Sequence, residues 1–483
     1  MRLPLIFKYV VIILFLLSTS FLIPAAYSLL IGDGLTEDFL FPVILVGALL
    51  LIALQIKDKV SDITVKEALL VVVLVWFLFP ALSALCYIET GSIKSFSDAY
   101  FESASGFTTT GASILTNIEA LPKSVLLWRS TTHWIGGVGF VVFSLSLLPL
   151  LGTGGAQLMR IEASRAVEER VLPRVKEVAK AILIVYVSLT ALEILLLKAV
   201  GLSLYEAVNH AFATIATGGF STKNASVAAF NSFAVEMVIA VFMILGALNL
   251  SLYYKAFKEK SLKTFLSYYE VKSFLIIVLL ATAVSTLLLY VEDYYKNPIT
   301  SFRYAFFQVV TAASTTGFAS TDYSNWPPFI LALIMLLALI GASSGSTAGG
   351  IKQFRFLVLI KTALKELKKT AHPRLVYRIS IGNRVLNVSL LNTIWAFISI
   401  YFSTAIVFGL LIALSGYDLI TSFSASIACI TSLGPGLGKV GPAGNFAFFP
   451  AYDKLLLSLE MLMGRLEVFP ILALFIPEFW KEY

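Results

Sequence analysis

Charge is scarce in this chain. Asp, Glu, Lys and Arg make up 13% of its 483 residues, about half the share usual in soluble domains. With 58% hydrophobic residues and a mean hydropathy of +0.88, that shortage excludes a soluble globular protein. Cysteine is nearly missing. Cys86 and Cys429 stand alone in apolar runs, form no CxxC or metal pattern, and read as small core residues. Only three histidines occur, and His133, His210 and His372 share no metal-ligand spacing. A membrane-embedded enzyme would need paired intramembrane acids, a histidine cluster or a nucleophile–base pair, and none stands at usable spacing. No catalytic residue and no organic cofactor are therefore assigned.

What the chain does have is apolar runs of roughly 20 residues, long enough to cross a hydrocarbon core of about 30 Å. Spans are expected near 7–31, 38–56, 64–88, 124–151, 177–201, 228–254, 272–291, 326–362 (interrupted), 389–415 and 449–476. The first run, from Leu3 to Ile31, is too long for a signal-peptide core and lacks a convincing cleavage site. Basic segments alternate with poorly basic ones. Lys57, Lys59 and Lys66 form one, Arg160 to Lys180 another, Lys255 to Lys263 a third, and Lys361 to Arg384 a fourth. By the positive-inside rule these segments and both termini are cytoplasmic, in a multi-pass protein of the cell membrane. The net charge of +7 belongs to those loops and to lipid contact, so no nucleic-acid partner is inferred. The face at 361–384 reads either as a lipid-headgroup surface or as a docking site.

Between the spans, four outer segments resemble one another. "SGFTTTGAS" (105–113), "IATGGFS" (215–221), "STTGFAS" (314–320) and "TSLGPGL" (431–437) align on Gly111, Gly219, Gly317 and Gly434. These glycines are 108, 98 and 117 residues apart. Twelve residues before them stand the small Ala99, Ala207, Ala305 and Ser422; fifteen before stand the large Phe96, Leu204, Phe302 and Leu419. A period of roughly a hundred residues marks a fourfold internal repeat. The expected fold is an all-α polytopic membrane protein. Two N-terminal transmembrane helices (1–60) precede four pseudo-symmetric helix–pore-loop–helix repeats around one pore. The repeats cover 61–155, 156–258, 259–370 and 371–483, with loops 108–112, 216–220, 314–318 and 431–435.

A loop at membrane depth must be buried in protein or line a water-filled cavity. Four alike can surround one axis. Glycine frees the backbone to turn carbonyls inward, threonine hydroxyls add oxygen ligands, and half-helices aim negative C-terminal ends at the path. That is the logic of a cation selectivity filter. Its candidate ligands are Thr108, Thr109, Thr110 and Gly111, then Ala216, Thr217, Gly218 and Gly219. The third loop offers Ser314, Thr315, Thr316 and Gly317; the fourth offers Thr431, Ser432, Leu433 and Gly434. With Ser432, Leu433 and Pro435 the fourth loop departs from the rest, so the ring is only pseudo-fourfold. Glu102 and Asn209 stand at similar points of the first two repeats and read as braces behind the loops.

Within the third inner span, "GASSGSTAGGIK" (341–352) holds Gly341, Ser343, Ser344, Gly345, Ser346, Thr347, Gly349, Gly350 and Lys352. Each glycine costs a helix about 1 kcal/mol relative to alanine, so a break is expected. It reads as a movable constriction below the filter or as a small-residue packing surface. Lys352 either joins that gate or is an ordinary helix-end lysine. Arg465, mid-way along the last span, costs at least about 2.5 kcal/mol if it meets lipid. It either faces the pore across from the broken segment or pairs with a carboxylate on another helix; Glu467, two residues on, lies on nearly the opposite face.

With "WRSTTHWIGGVGF" (128–140) and "MLMGRLEVFP" (461–470), these motifs in this order resemble the Trk/Ktr/HKT superfamily of potassium transporters, and its Trk branch in particular. The resemblance covers nearly the whole chain. It implies potassium uptake, with K⁺ the transported ion, through a filter in which glycine in all four positions favours K⁺ over Na⁺. It also implies an intramembrane loop with the matching arginine beside it, a homodimer with one pore per subunit, and a cytoplasmic ring of nucleotide-binding regulatory subunits. The alternative within the same fold is a Na⁺- or H⁺-coupled potassium symporter or a Na⁺ transporter; the four loops hold no carboxylate for coupling.

Overall fold

The computed structural model describes residues 1–56, 63–147, 171–374, 378–382 and 384–481. Lys57, Lys59, Arg160, Arg165 and Arg170 lie outside them, as do the expected repeat boundaries near 60 and 155. The described chain is helical apart from a ribbon that pairs Ser380–Ile381 with Arg384–Val385.

Helices α1 (Leu3–Ser18), α2 (Leu22–Ile31) and α3 (Thr36–Ala53) come first. A 3₁₀ turn joins α1 to α2, where the hydroxyls of Ser18, Thr19 and Ser20 donate to carbonyls three residues back. Repeat 1 comprises α4 (Val65–Glu89), α5 (Phe96–Phe107) and α6 (Lys123–Leu147); repeat 2 comprises α7 (Val171–Ala199), α8 (Leu204–Ile215) and α9 (Phe233–Ala247). After α10 (Leu250–Glu259) and α11 (Leu262–Leu266), repeat 3 runs through α12 (Tyr269–Val291), α13 (Pro298–Ala313), α14 (Pro328–Ile340) and α15 (Gln353–Ala371). Repeat 4 has α16 (Val388–Ala413), α17 (Leu419–Ile430) and α18 (Ala451–Arg465), followed by short α19 (Phe469–Ala473) and α20 (Pro477–Trp480). Among the described residues six helices are long and apolar enough to cross a membrane, and the α9–α10 pair, bent by 88°, would be a seventh if counted as one span.

The half-helices α5, α8, α13 and α17 all end four residues before their marker glycine. Three of their starts carry side-chain caps; Ser95 before α5 makes no such bond. Ser203 and Glu206 form a capping box, Asn297 precedes Pro298, and Asp418 accepts from the Thr421 amide. The repeat pattern has a packing reason. Ala99, Ala207, Ala305 and Ser422 are fully buried, whereas Phe96, Leu204, Phe302 and Leu419 are about half exposed, on the outer surface.

The four repeats close a circle. Inner helix α6 packs on α8 of the next repeat, α9 on α13, α14 on α17, and α18 on α5. Ion pairs lie on two of these seams: Arg303 with Glu236 at 2.7 Å and Lys454 with Asp98 at 2.6 Å. The N-terminal helices stay outside the circle against repeat 1, where Phe21 stacks on Trp128 at 4.0 Å.

Two expected spans are interrupted. The run 228–254 turns by 88° between α9 and α10. Asn249 caps α10 through the Ser251 amide, and the exposed backbone of the notch is satisfied by the third repeat: Ser343 N–H donates to Ala247 O and Leu250 N–H to Gly345 O. The run 449–476 ends as a helix at Arg465, which is therefore the end of α18 and not its middle. Glu467 and Val468 then take positive φ, and Pro470 could not have continued the helix without losing a hydrogen bond. The expected break in the third inner span is there, with no helix from Gly341 to Lys352.

Candidate functional site

Each half-helix ends in the same way. In repeat 1 the Thr109 amide donates to Gly106 O and the Thr110 amide to Ser105 O. The corresponding pairs are Thr217 to Thr214 and Gly218 to Ala213, Thr315 to Ala312 and Thr316 to Thr311, Ser432 to Cys429 and Leu433 to Ala428. This is the Schellman pattern, which needs a left-handed residue. Here it is Thr109, Thr217, Thr315 or Ser432, with φ of 55°, 52°, 54° and 56°. Two residues on, Gly111, Gly219, Gly317 and Gly434 take φ between 82° and 90°. The loops thus share one backbone, including the divergent fourth.

Those glycines meet in a ring. A Cβ on Gly111 would collide with the carbonyl oxygen of Gly218, one on Gly219 with that of Thr316, and one on Gly317 with that of Leu433. A Cβ on Gly434 would lie 2.6 Å from that of Thr110, which closes the circle. Each loop therefore presses its glycine against the carbonyl just before the next loop's glycine. All four line one cavity of about 180 Å³ on the outer side, together with Ser113, Arg129, Ser221 and Asn445.

Behind the ring, each loop is tied to its own half-helix. Glu102 accepts from the Ser113 hydroxyl and the Ile114 amide, each at 3.0 Å. His210 Nε2 meets Ser221 Oγ at 2.9 Å, Gln308 Nε2 donates to Ser320 Oγ at 3.3 Å, and Ser424 Oγ accepts from the Leu437 amide at 2.9 Å. Glu102 is a brace as expected, but its counterpart in repeat 2 is His210. Asn209 points to the neighbouring repeat instead and accepts from Ser130 at 2.5 Å. Gly218 has its own reason. His133 on α6 fills the space its side chain would need.

On the inner side the segment 341–352 crosses beneath the ring. Thr347 Oγ1 donates to Ile215 O at 2.9 Å and lies 3.3 Å from Thr217 Oγ1; the Gly349 amide donates to Thr315 Oγ1 at 2.7 Å. A side chain on Gly349 would collide with Thr431 O. Two of the four left-handed residues are thus engaged through their hydroxyls. The hydroxyls of the other two, Thr109 and Ser432, are buried without a hydrogen-bond partner. Ser346 Oγ donates to Ser343 O, and the Ser344 amide reaches Glu270 at 3.3 Å. Gly341 and Gly350 press on each other's backbones, and Gly345 packs on Asn249.

Two buried cations hold this segment. Arg465 Nη1 donates to Thr347 O at 2.8 Å, and Lys352 Nζ donates to Ala348 O. Both lie over the ring of Phe140 on α6, at 4.1 and 5.3 Å. Among the described residues Arg465 makes no ion pair. Glu467 pairs instead with Arg355, at 2.8 Å. Sequence reasoning passed over Arg129, Phe140 and Arg355, and weighed His133 only as a metal ligand. The rule that drew attention to Arg465, a charge inside an apolar span, applies equally to Arg129 and Arg355. His133 and Phe140 gave no such signal.

The description TrkH, cation transport protein, matches residues 38–482 of the chain. The chain is 37% identical over 480 residues to the Trk system potassium uptake protein TrkH of Escherichia coli strain K12, across 98% of this chain and 99% of the relative. It is 32% identical over 485 residues to the protein of that name from Halomonas elongata, across the full length of both. The crystal structure of the potassium transporter TrkH from Vibrio parahaemolyticus matches with a TM-score of 0.91 at 34% identity, over 100% of both chains.

Proposed function

Because the chain belongs to the TrkH family of cation transport proteins, we propose that it takes up potassium across the cell membrane, with the ring of Gly111, Gly219, Gly317 and Gly434 as its selectivity filter. It is a transport protein and not an enzyme. The observation that carries the filter is the closed circle of glycine-on-carbonyl contacts. A circle of this kind supports the reading that carbonyls around one axis replace the hydration shell of a dehydrated cation. The buried, unpartnered hydroxyls of Thr109 and Ser432 extend that oxygen lining inward.

The path is closed from the inside by residues 341–350 with Lys352 and Arg465. What supports this reading is their position against Thr217, Thr315 and Thr431 and the positive charge they add below the ring. Regulation falls to a separate chain, a ring-forming nucleotide-binding subunit at the cytoplasmic face, where both termini lie. The transporter itself works as a homodimer with one pore in each subunit. The support is the family membership and the basic segment 361–374, which is largely exposed. No coupling site for Na⁺ or H⁺ is assigned, since loops 108–112, 216–220, 314–318 and 431–435 hold no carboxylate.

Purified protein in liposomes tests the proposal. Potassium flux down its own gradient, unchanged by an imposed Na⁺ or proton gradient, is the expected result. Flux that requires either gradient overturns the uncoupled reading, and no potassium flux with or without the regulatory subunit overturns the function.

A further inference from the structure

Of the four ties behind the ring, one is built differently. Three are neutral and stay within their own repeat. At the first, Arg129 is 1% exposed and places its guanidinium on Glu102 at 2.8 Å. The same group reaches Ser113 Oγ at 3.3 Å and, across the seam, Ser221 O at 3.2 Å. It lies over the Phe220 ring at 4.0 Å. Ser113 and Ser221 each follow their marker glycine by two residues. One side chain therefore joins the outer ends of loops 1 and 2, and it lines the cavity that the four glycines share.

We propose that Arg129 and Glu102 form a positioning pair for cation selectivity. They hold the outer ends of the first two loops at a fixed spacing, and the carboxylate cancels a positive charge that would otherwise stand at the cation entrance. The planar fork of Arg129 matters because it serves three acceptors at once, which a lysine ammonium cannot reproduce. The charge of Glu102 matters because a buried guanidinium beside the cavity, left without its carboxylate, repels a cation entering it. The inference rests on the filter reading above.

The pair predicts opposite signs for its two neutralisations, which a purely structural ion pair does not. In liposome flux measurements, Glu102→Gln raises the KM for K⁺, by about tenfold for a unit charge of this kind. Arg129→Gln lowers it. Both reduce the K⁺ over Na⁺ preference. The double variant returns the KM to within about twofold of the parent, by cancellation, while the preference stays low. Arg129→Lys keeps the parent KM but loses preference. Shifts of KM in the same direction for the two neutralisations, or full preference in Arg129→Lys, overturn the proposal. Should Arg129→Gln not be recovered as a monodisperse protein, Glu102→Gln and Arg129→Lys carry the test; parental KM and parental preference in both overturn it. A parent protein without potassium flux fails the filter reading itself, whereas a conducting parent with indifferent pair variants fails only this inference.

Discussion

The outer ring and the layer beneath it are built by opposite rules. In the ring all four repeats contribute alike: the same helix end, the same left-handed residue, and the same glycine pressed on the neighbouring carbonyl. In the layer beneath, three inner helices pass close to a half-helix end through a glycine. Gly136 lies on Phe107 O, Gly246 on Ile215 O and Gly464 on Ile430 O. The third inner helix breaks instead and sends 341–352 across the axis. On the proposed reading the difference has a reason: a filter needs oxygens from every side, which holds each repeat to one geometry, whereas a gate needs only one obstacle, which leaves a single repeat free to diverge.

The largest expected effect comes from damaging the part that all repeats share. Gly219 has φ of 83° and no room before Thr316 O, so Gly219→Ala must move backbone in two loops and adopt a conformation costing alanine about 1 kcal/mol or more. Potassium flux in liposomes should fall at least about a hundredfold. Gly139→Ala is the control: its Cβ meets nothing within 4 Å, and flux should stay at the parent level. Equal losses in the two variants would end the claim that the ring is special.

Next stands the asymmetric layer. Arg465→Ala removes the charge that holds Thr347 O, and a unit charge near the path opposes a cation by roughly 3 kcal/mol at an effective dielectric near 20. Flux through the protein alone should rise by up to about a hundredfold. Deletion of most of 341–350 should do the same, and the two together should gain less than their sum if they form one barrier. Unchanged or lower flux in both folded single variants would make the segment packing and the arginine structural.

Gly111→Ser should act on preference more than on rate. The new side chain meets Gly218 O, displaces a ring carbonyl and offers its own hydroxyl. Relative Na⁺ permeation should rise on the order of tenfold, and a parental ratio would remove loop 1 from the filter. The smallest effect is expected at Phe140. Phe140→Leu takes away the aromatic face under both Arg465 and Lys352, worth about 1–2 kcal/mol where desolvated. Partner-free flux should rise a few-fold, visibly less than for Arg465→Ala; an effect as large as that of Arg465→Ala would show that the ring and not the charge is the principal restraint.

The repeat was legible because its cause is local. A φ of 82–90° at the marker positions favours glycine, close packing demands Ala99, Ala207, Ala305 and Ser422, and a helix through GASSGSTAGG is intrinsically poor. Position by position these mark the half-helices, the ring glycines and the third-repeat break. Local chemistry was silent elsewhere. Leu248–Asn249 carries no strong helix breaker, and α9 ends there because Ser343 and Gly345 supply partners for Ala247 O and the Leu250 amide. Glu102 was paired with Asn209 by approximate position, although Glu102 and His210 each stand nine residues before their marker glycine, and these are the two that the fold makes equivalent.

Composition and periodicity therefore determined by themselves that the chain lies in a membrane, repeats four times, and places a glycine at the centre of each loop. Backbone conformational freedom and the energetic cost of polar groups in lipid act residue by residue. Only the tertiary structure decided which carbonyl each glycine faces, that Thr217 and Thr315 are engaged by the third repeat while Thr109 and Ser432 are not, and that Arg129 finds Glu102 and Ser221 where Arg465 finds Thr347. The most distant of these partners, Thr110 and Gly434, stand 324 residues apart, and they meet because the four repeats close into a circle.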